Sequence, residues 1–77
     1  MAVGYVLVSV SPGNELDVFK KINDVEFVTD ATLLFGDYDI IAKLESEGMN
    51  QIAKTVVNVI RQIPGVIDTK TLAGADF

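Results

Sequence analysis

Lys20-Lys21-Ile22-Asn23-Asp24-Val25 and Arg61-Gln62-Ile63-Pro64-Gly65-Val66 are the two stretches on which the fold turns, and they stand 41 positions apart. In each, a basic residue is followed by an isoleucine, a breaker and a valine that opens an extended run. Upstream of the first, Leu16, Phe19 and Ile22 recur at a spacing of three with Val18 beside them, so residues 14–22 read as a short helix with one apolar face. Asn14 stands where a cap is needed, and Glu15 and Asp17 fall in the first turn, where the helix dipole favours acids. Upstream of the second stretch, Met49, Ile52, Ala53, Val56, Ile60 and Ile63 form another helical stripe, with Ser46 as its cap and Pro64-Gly65 as its stop. Thr55, Val56, Val57 and Val59 lower the intrinsic propensity of this second helix, which must therefore lean on a flat partner.

The flat partner is supplied by four extended runs. Val3 to Val10 ends at Ser11-Pro12-Gly13, and Val66 to Leu72 leads into a small-residue tail, Ala73 to Phe77. Between the helices, Val25 to Phe35 and Tyr38 to Glu45 flank Gly36-Asp37, which reads as a hairpin. The order strand, helix, strand, strand, helix, strand is two tandem βαβ-type units. It predicts an α+β, ferredoxin-like βαββαβ fold: a four-stranded antiparallel sheet with both helices on one face. Right-handed crossovers select this topology over its mirror image.

The strands carry more apolar surface than one covered face requires. Val6, Val8 and Val10 point one way, Tyr5 and Leu7 the other; Leu33 and Leu34 are adjacent, as are Ile40 and Ile41. Two helices cover one face only, and the other is left with an apolar patch of several hundred Å², more than soluble monomers usually expose. Size points the same way. A chain of 77 residues is one domain, and at this length only about 60% of the unfolded surface is buried on folding. With no cysteine and no histidine, disulfides are excluded and metal staples reduced to carboxylate sites, so self-association is the remaining way to enlarge the core. Face-to-face packing of two sheets, a dimeric α+β barrel type of association, buries on the order of 1,000 Å² or more.

Charge and composition exclude other partners. The net charge is −5, from eleven acids and six bases, and Lys20, Lys21, Lys43, Lys54, Arg61 and Lys70 are scattered without a basic stripe. Direct nucleic-acid binding is not expected. Val3 to Val10 is too short for a membrane span and lacks the flanks of a signal peptide, so the expected location is cytoplasmic.

Catalytic chemistry is poorly served. Without histidine or cysteine the usual activated nucleophiles are missing, and no glycine-rich phosphate cradle occurs, so no enzymatic activity, cofactor or resident metal is expected. Asp37 and Asp39 are the one acidic pair in a loop, and Asp37 beside Gly36 suits the turn itself. The segment Gly36-Asp37-Tyr38-Asp39 nonetheless has the parts for a small zwitterion. Backbone groups beside a glycine can take its carboxylate, Asp39 its ammonium, and Tyr38 offers an apolar plate with a polar tip. Thr69 and Thr71 share one face of the last strand and can add hydroxyl contacts.

Tyr5-Val6-Leu7-Val8 with Pro12-Gly13, then Gly36-Asp37-Tyr38-Asp39-Ile40, then Ile60-Arg61-Gln62-Ile63-Pro64-Gly65-Val66 with Thr69 and Thr71, resemble the regulatory domain of the leucine-responsive/asparagine-regulator (Lrp/AsnC) transcription-factor family over about residues 3–72. The resemblance implies a stand-alone regulatory domain over residues 1–77, without the helix-turn-helix DNA-binding domain that full-length members carry. It implies dimers whose sheets face each other, ring-like assembly of dimers and an amino-acid effector held between them, with a full-length regulator as a further partner. By this resemblance the ligand-binding residues are Gly36, Asp37, Tyr38 and Asp39, with Thr69 and Thr71 secondary; Asp68, an acid beside Thr69, departs from the pattern. Two other readings share the element order. One is an ACT-type metabolite-binding module, and the other is a small enzyme of the dimeric α+β barrel class.

Overall fold

The computed structural model describes residues 1–75. Its elements are β1 (Ala2–Val10), α1 (Glu15–Asn23), β2 (Val28–Leu33), β3 (Ile40–Ser46), α2 (Met49–Asn58), a 3-10 turn (Ile60–Gln62) and β4 (Val66–Ala73). The four strands form one antiparallel sheet in the order β2-β3-β1-β4. This is the ferredoxin-like arrangement expected from the element order.

Alternation along the two central strands decides which face the helices cover. Val6, Val8, Val10, Ile40, Ala42 and Leu44 are buried, and they join Val18 and Ile22 of α1, Ile52 and Val56 of α2, and Ile60 and Ile63 in one core. The α2 helix passes so close to β1 that a Cβ on Gly4 would lie 3.0 Å from the Cγ2 of Ile52. Both helices therefore lie on one side. On the other, the register lines up Leu72, Tyr5, Lys43 and Asp30 in one cross-strand row and Lys70, Leu7, Ile41 and Thr32 in the next. Tyr5, Leu7 and Ile41 are half-buried there and Leu72 is exposed. The two-sided apolar character of β1 and β3 read from the sequence is thus real.

Element boundaries differ from expectation in ways that have local causes. The first helix does begin after Asn14, but Asn14 makes no side-chain cap; its Nδ2 donates to Ser11 Oγ instead, at 2.6 Å. Ser46 is not a helix cap either. It closes β3, its hydroxyl donates to the Gly48 carbonyl at 2.6 Å, and Gly48 holds the N-cap position. The second helix does not run unbroken to Ile63. Pro64 forces the residue before it out of helical geometry, Ile63 is extended at φ −67°, ψ 125°, and the chain tightens into the 3-10 turn just before it.

The strand β2 starts at Val28, not Val25, because residues 25–28 form a β-turn closed by the Val28 amide on the Val25 carbonyl, 3.2 Å. Ile63 to Val66 form the same turn, with the Val66 amide 3.1 Å from the Ile63 carbonyl. Both need a positive φ at the third residue, as in a type II turn; Gly65 supplies it at 101° and Phe27 at 75°. Each edge strand then carries an unpaired extra residue, Thr29 in β2 and Ile67 in β4, at a register shift. The turns and bulges therefore put the halves in correspondence at an offset of 38, not 41, matching Val18 with Val56, Ile22 with Ile60, Phe27 with Gly65 and Thr29 with Ile67. The 41-residue match aligned similar letters, whereas the turn and the bulge fix the structural equivalence.

Candidate functional site

Residues 34–39 join β2 to β3 in a wider loop than a two-residue Gly-Asp hairpin. The Leu34 amide donates to the Asp39 carbonyl at 2.8 Å, and the Asp39 amide donates to the Val8 carbonyl at 2.9 Å. The Asp39 carboxylate also accepts from the Val10 amide, through Oδ2 at 2.7 Å. Asp39 thereby ties the loop to the end of β1 with both its main chain and its side chain. Gly36 has φ +133°, a region open to glycine and rarely to other residues. That bend leaves Phe35 fully exposed at 109% of its reference area. Asp37 is exposed and Tyr38 half-buried.

Across from this loop lies the connection from β1 to α1. The Gly13 amide donates to Glu15 Oε1 at 2.9 Å, which fixes the Glu15 side chain at the start of the helix. Glu15, Leu33, Leu34, Phe35 and Asp39 line a cleft of about 290 Å³ between the two loops. Each carboxylate is oriented by one backbone amide through one oxygen. Among the described residues no lysine or arginine lines the cleft.

Asp39, expected at the site, is therefore one wall of a cleft, and Gly36, Asp37 and Tyr38 form the loop that carries it without lining it. Thr69 and Thr71 are elsewhere. Their register opposite Val8 and Val6 puts both on the helix-covered face of the edge strand β4. The Oγ1 of Thr69 accepts from Arg61 Nε at 2.9 Å beside a second cleft, also about 290 Å³, lined by Arg61, Val66, Ile67, Asp68 and Thr69. Thr69 and Ile40 flank Val8 on opposite sides, two strand spacings or roughly 10 Å apart. One chain does not bring the threonines and the loop together. Glu15 is the residue that sequence reasoning missed; it was visible only as an acid in a first helical turn, and its approach to the hairpin is tertiary.

The ferredoxin-like sheet that carries this loop has counterparts among known proteins. The family model described as the Lrp/AsnC ligand binding domain matches residues 3–73. The chain belongs to the Lrp/AsnC ligand-binding domain family. No curated protein sequence matches it. Among solved structures, FFRP-DM1 superposes with a TM-score of 0.91 at 25% identity, over 97% of this chain and 100% of that one. AsnC from Escherichia coli superposes at 0.89 with 19% identity, over 99% of this chain and 52% of AsnC. A transcriptional regulator from Neisseria meningitidis, solved as its complex with L-methionine, gives 0.84 at 17% identity over 97% of this chain and 50% of that regulator. This Lrp/AsnC domain thus spans about half the length of those two regulators, and at these identities they share its fold. No helix among its described residues is long and apolar enough to cross a membrane.

Proposed function

We propose that this Lrp/AsnC domain is a non-catalytic, cytoplasmic regulatory module that binds an amino-acid effector and self-associates, acting alone or with a full-length regulator of the family. The observation that carries the effector reading is the cleft between Glu15 and residues 33–39, in a chain of a ligand-binding family. The effector-binding residues of the proposal are Gly36, Asp37, Tyr38 and Asp39; Thr69 and Thr71, on the far strand, contribute only from a second copy. L-methionine in the meningococcal neighbour supports an amino acid as the effector class. The dimer is supported by the open sheet face, where Leu7 pairs with Ile41 and Tyr5 with Leu72. Two such faces packed together would raise burial in a domain whose own core is small.

The test is a thermal-shift screen of the twenty amino acids joined to sedimentation. A ligand that prefers the native state raises the melting temperature as its concentration passes the dissociation constant. Asp39→Ala should remove that response while the dimer persists. The reading fails if no amino acid shifts melting, and the dimer fails if the chain sediments as an 8.3 kDa monomer at micromolar concentration.

A further inference from the structure

The cleft beside residues 33–39 is chemically one-sided, and that bears on which amino acid it takes. Its walls are Leu33, Leu34 and Phe35, and its polar groups are the carboxylates of Glu15 and Asp39. Oε1 of Glu15 is held by the Gly13 amide and Oδ2 of Asp39 by the Val10 amide. The second oxygen of each is left for another donor. Among the described residues no basic side chain lines the cleft to pair with either, so a wholly apolar side chain would leave one of the two acids to water alone.

We infer that the effector of this domain is a free basic amino acid, lysine or arginine in type, with one cationic group at each carboxylate and its methylene stem along Leu33, Leu34 and Phe35. Asp39 takes the α-ammonium, Glu15 takes the side-chain cation, and the apolar walls pack the stem as they would any long aliphatic chain. Phe35 lines the cleft, and its amide finds no acceptor among the described residues, which leaves that donor for the α-carboxylate. A net charge of −5 also draws cations toward the chain. About 290 Å³ sits at the small end of ligand pockets, the size of a single amino acid and not of a peptide. The inference rests on the effector reading given above and narrows it.

Calorimetric titration of the full chain with lysine, arginine, methionine, leucine and cadaverine tests it. Lysine or arginine should bind roughly tenfold or more tightly than methionine or leucine, the gain of one charge-assisted hydrogen bond. Glu15→Gln, which keeps an oxygen for the Gly13 amide and removes the charge, should bring the lysine-to-methionine ratio to within about threefold. Methionine or leucine binding as tightly as lysine in the unaltered chain overturns the inference and leaves the effector reading standing. Cadaverine binding as tightly as lysine overturns it as well, since the occupant would then be an amine without a carboxylate. Binding of none of the five overturns the inference, and the screen of all twenty amino acids then decides the effector reading.

Discussion

Residues 25–30 and 63–68 trace the same path with different side chains. Each opens on a β-turn with a positive φ at its third residue, and each continues into an edge strand with one unpaired residue before an aspartate, Asp30 or Asp68. In the second copy the turn is Pro64-Gly65, the pair a type II turn prefers. In the first it is Glu26-Phe27, where a bulky residue occupies a left-handed conformation that costs about 1–2 kcal/mol. Surroundings explain the difference. A Cβ at position 65 would lie 3.0 Å from Asn14 Cβ and 3.1 Å from Val18 Cγ2, so that turn is pressed against α1. Phe27 instead lays its half-buried ring against the core, and its carbonyl accepts from the Glu45 amide at 2.9 Å. The geometry is dictated by the fold; which residue fills it is decided by its neighbours.

The widest test of this equivalence is the pair of isoleucines that precede the turns. Ile22 and Ile60 are both fully buried, and Ile22→Ala and Ile60→Ala should each cost about 2–5 kcal/mol in urea unfolding. A difference between them greater than about 2 kcal/mol would show that one half carries the core and break the comparison. Gly65→Ala comes next, with a loss of about 2 kcal/mol from the backbone conformation and the tight contacts to α1 together. An unchanged unfolding midpoint would mean that the loop yields easily and that proline, not glycine, sets the turn. Phe27→Gly should have a smaller effect, a net loss of about 1 kcal/mol or less, because relief of the strained φ offsets much of the lost ring packing. Stabilisation by that variant would sharpen the contrast, placing all the cost of the first turn in its side chain. Ile67→Thr should move stability by no more than about 0.5 kcal/mol, since Ile67 sits at the bulge with 66% of its surface exposed. If Ile67→Thr also weakens self-association in sedimentation, the bulge of β4 belongs to an interface that the bulge of β2 does not share. All four comparisons need equal protein concentration, because association with a second copy adds to apparent stability.

The halves diverge again beyond their edge strands. After β2 the chain enters residues 34–39, where Gly36 bends the loop and Asp39 anchors it to Val8 and Val10. Among the described residues β4 has no returning strand after it, and Arg61 donates to Thr69 beside it. One half therefore builds the cleft with the two acids Glu15 and Asp39, and the other the cleft beside Arg61 and Thr69.

Much of the fold was legible in the letters. The spacing of Leu16, Val18, Phe19 and Ile22, the alternation of Val6, Val8 and Val10 against Tyr5 and Leu7, and the breakers at Pro12-Gly13 and Pro64-Gly65 fix the element order and the split βαβ topology, because periodicity and turn chemistry are local properties. The motif Gly36-Asp37-Tyr38-Asp39 marked the family and the loop that carries Asp39. The start of β2 was not legible, since a left-handed Phe27 contradicts local preference and is held there by its packing against the core and by the Glu45 amide. Thr69 and Thr71 share a face by parity, which the letters show, whereas which face the helices cover depends on strand register, and register is settled between chain segments far apart in sequence. Glu15 joined the site for the same reason: an acid in a first helical turn says nothing about the hairpin opposite it. Sequence alone thus determined the elements, their order and the surplus of apolar surface. Only the tertiary structure decided which residues share a cleft, because that depends on distances across the sheet that no local pattern encodes.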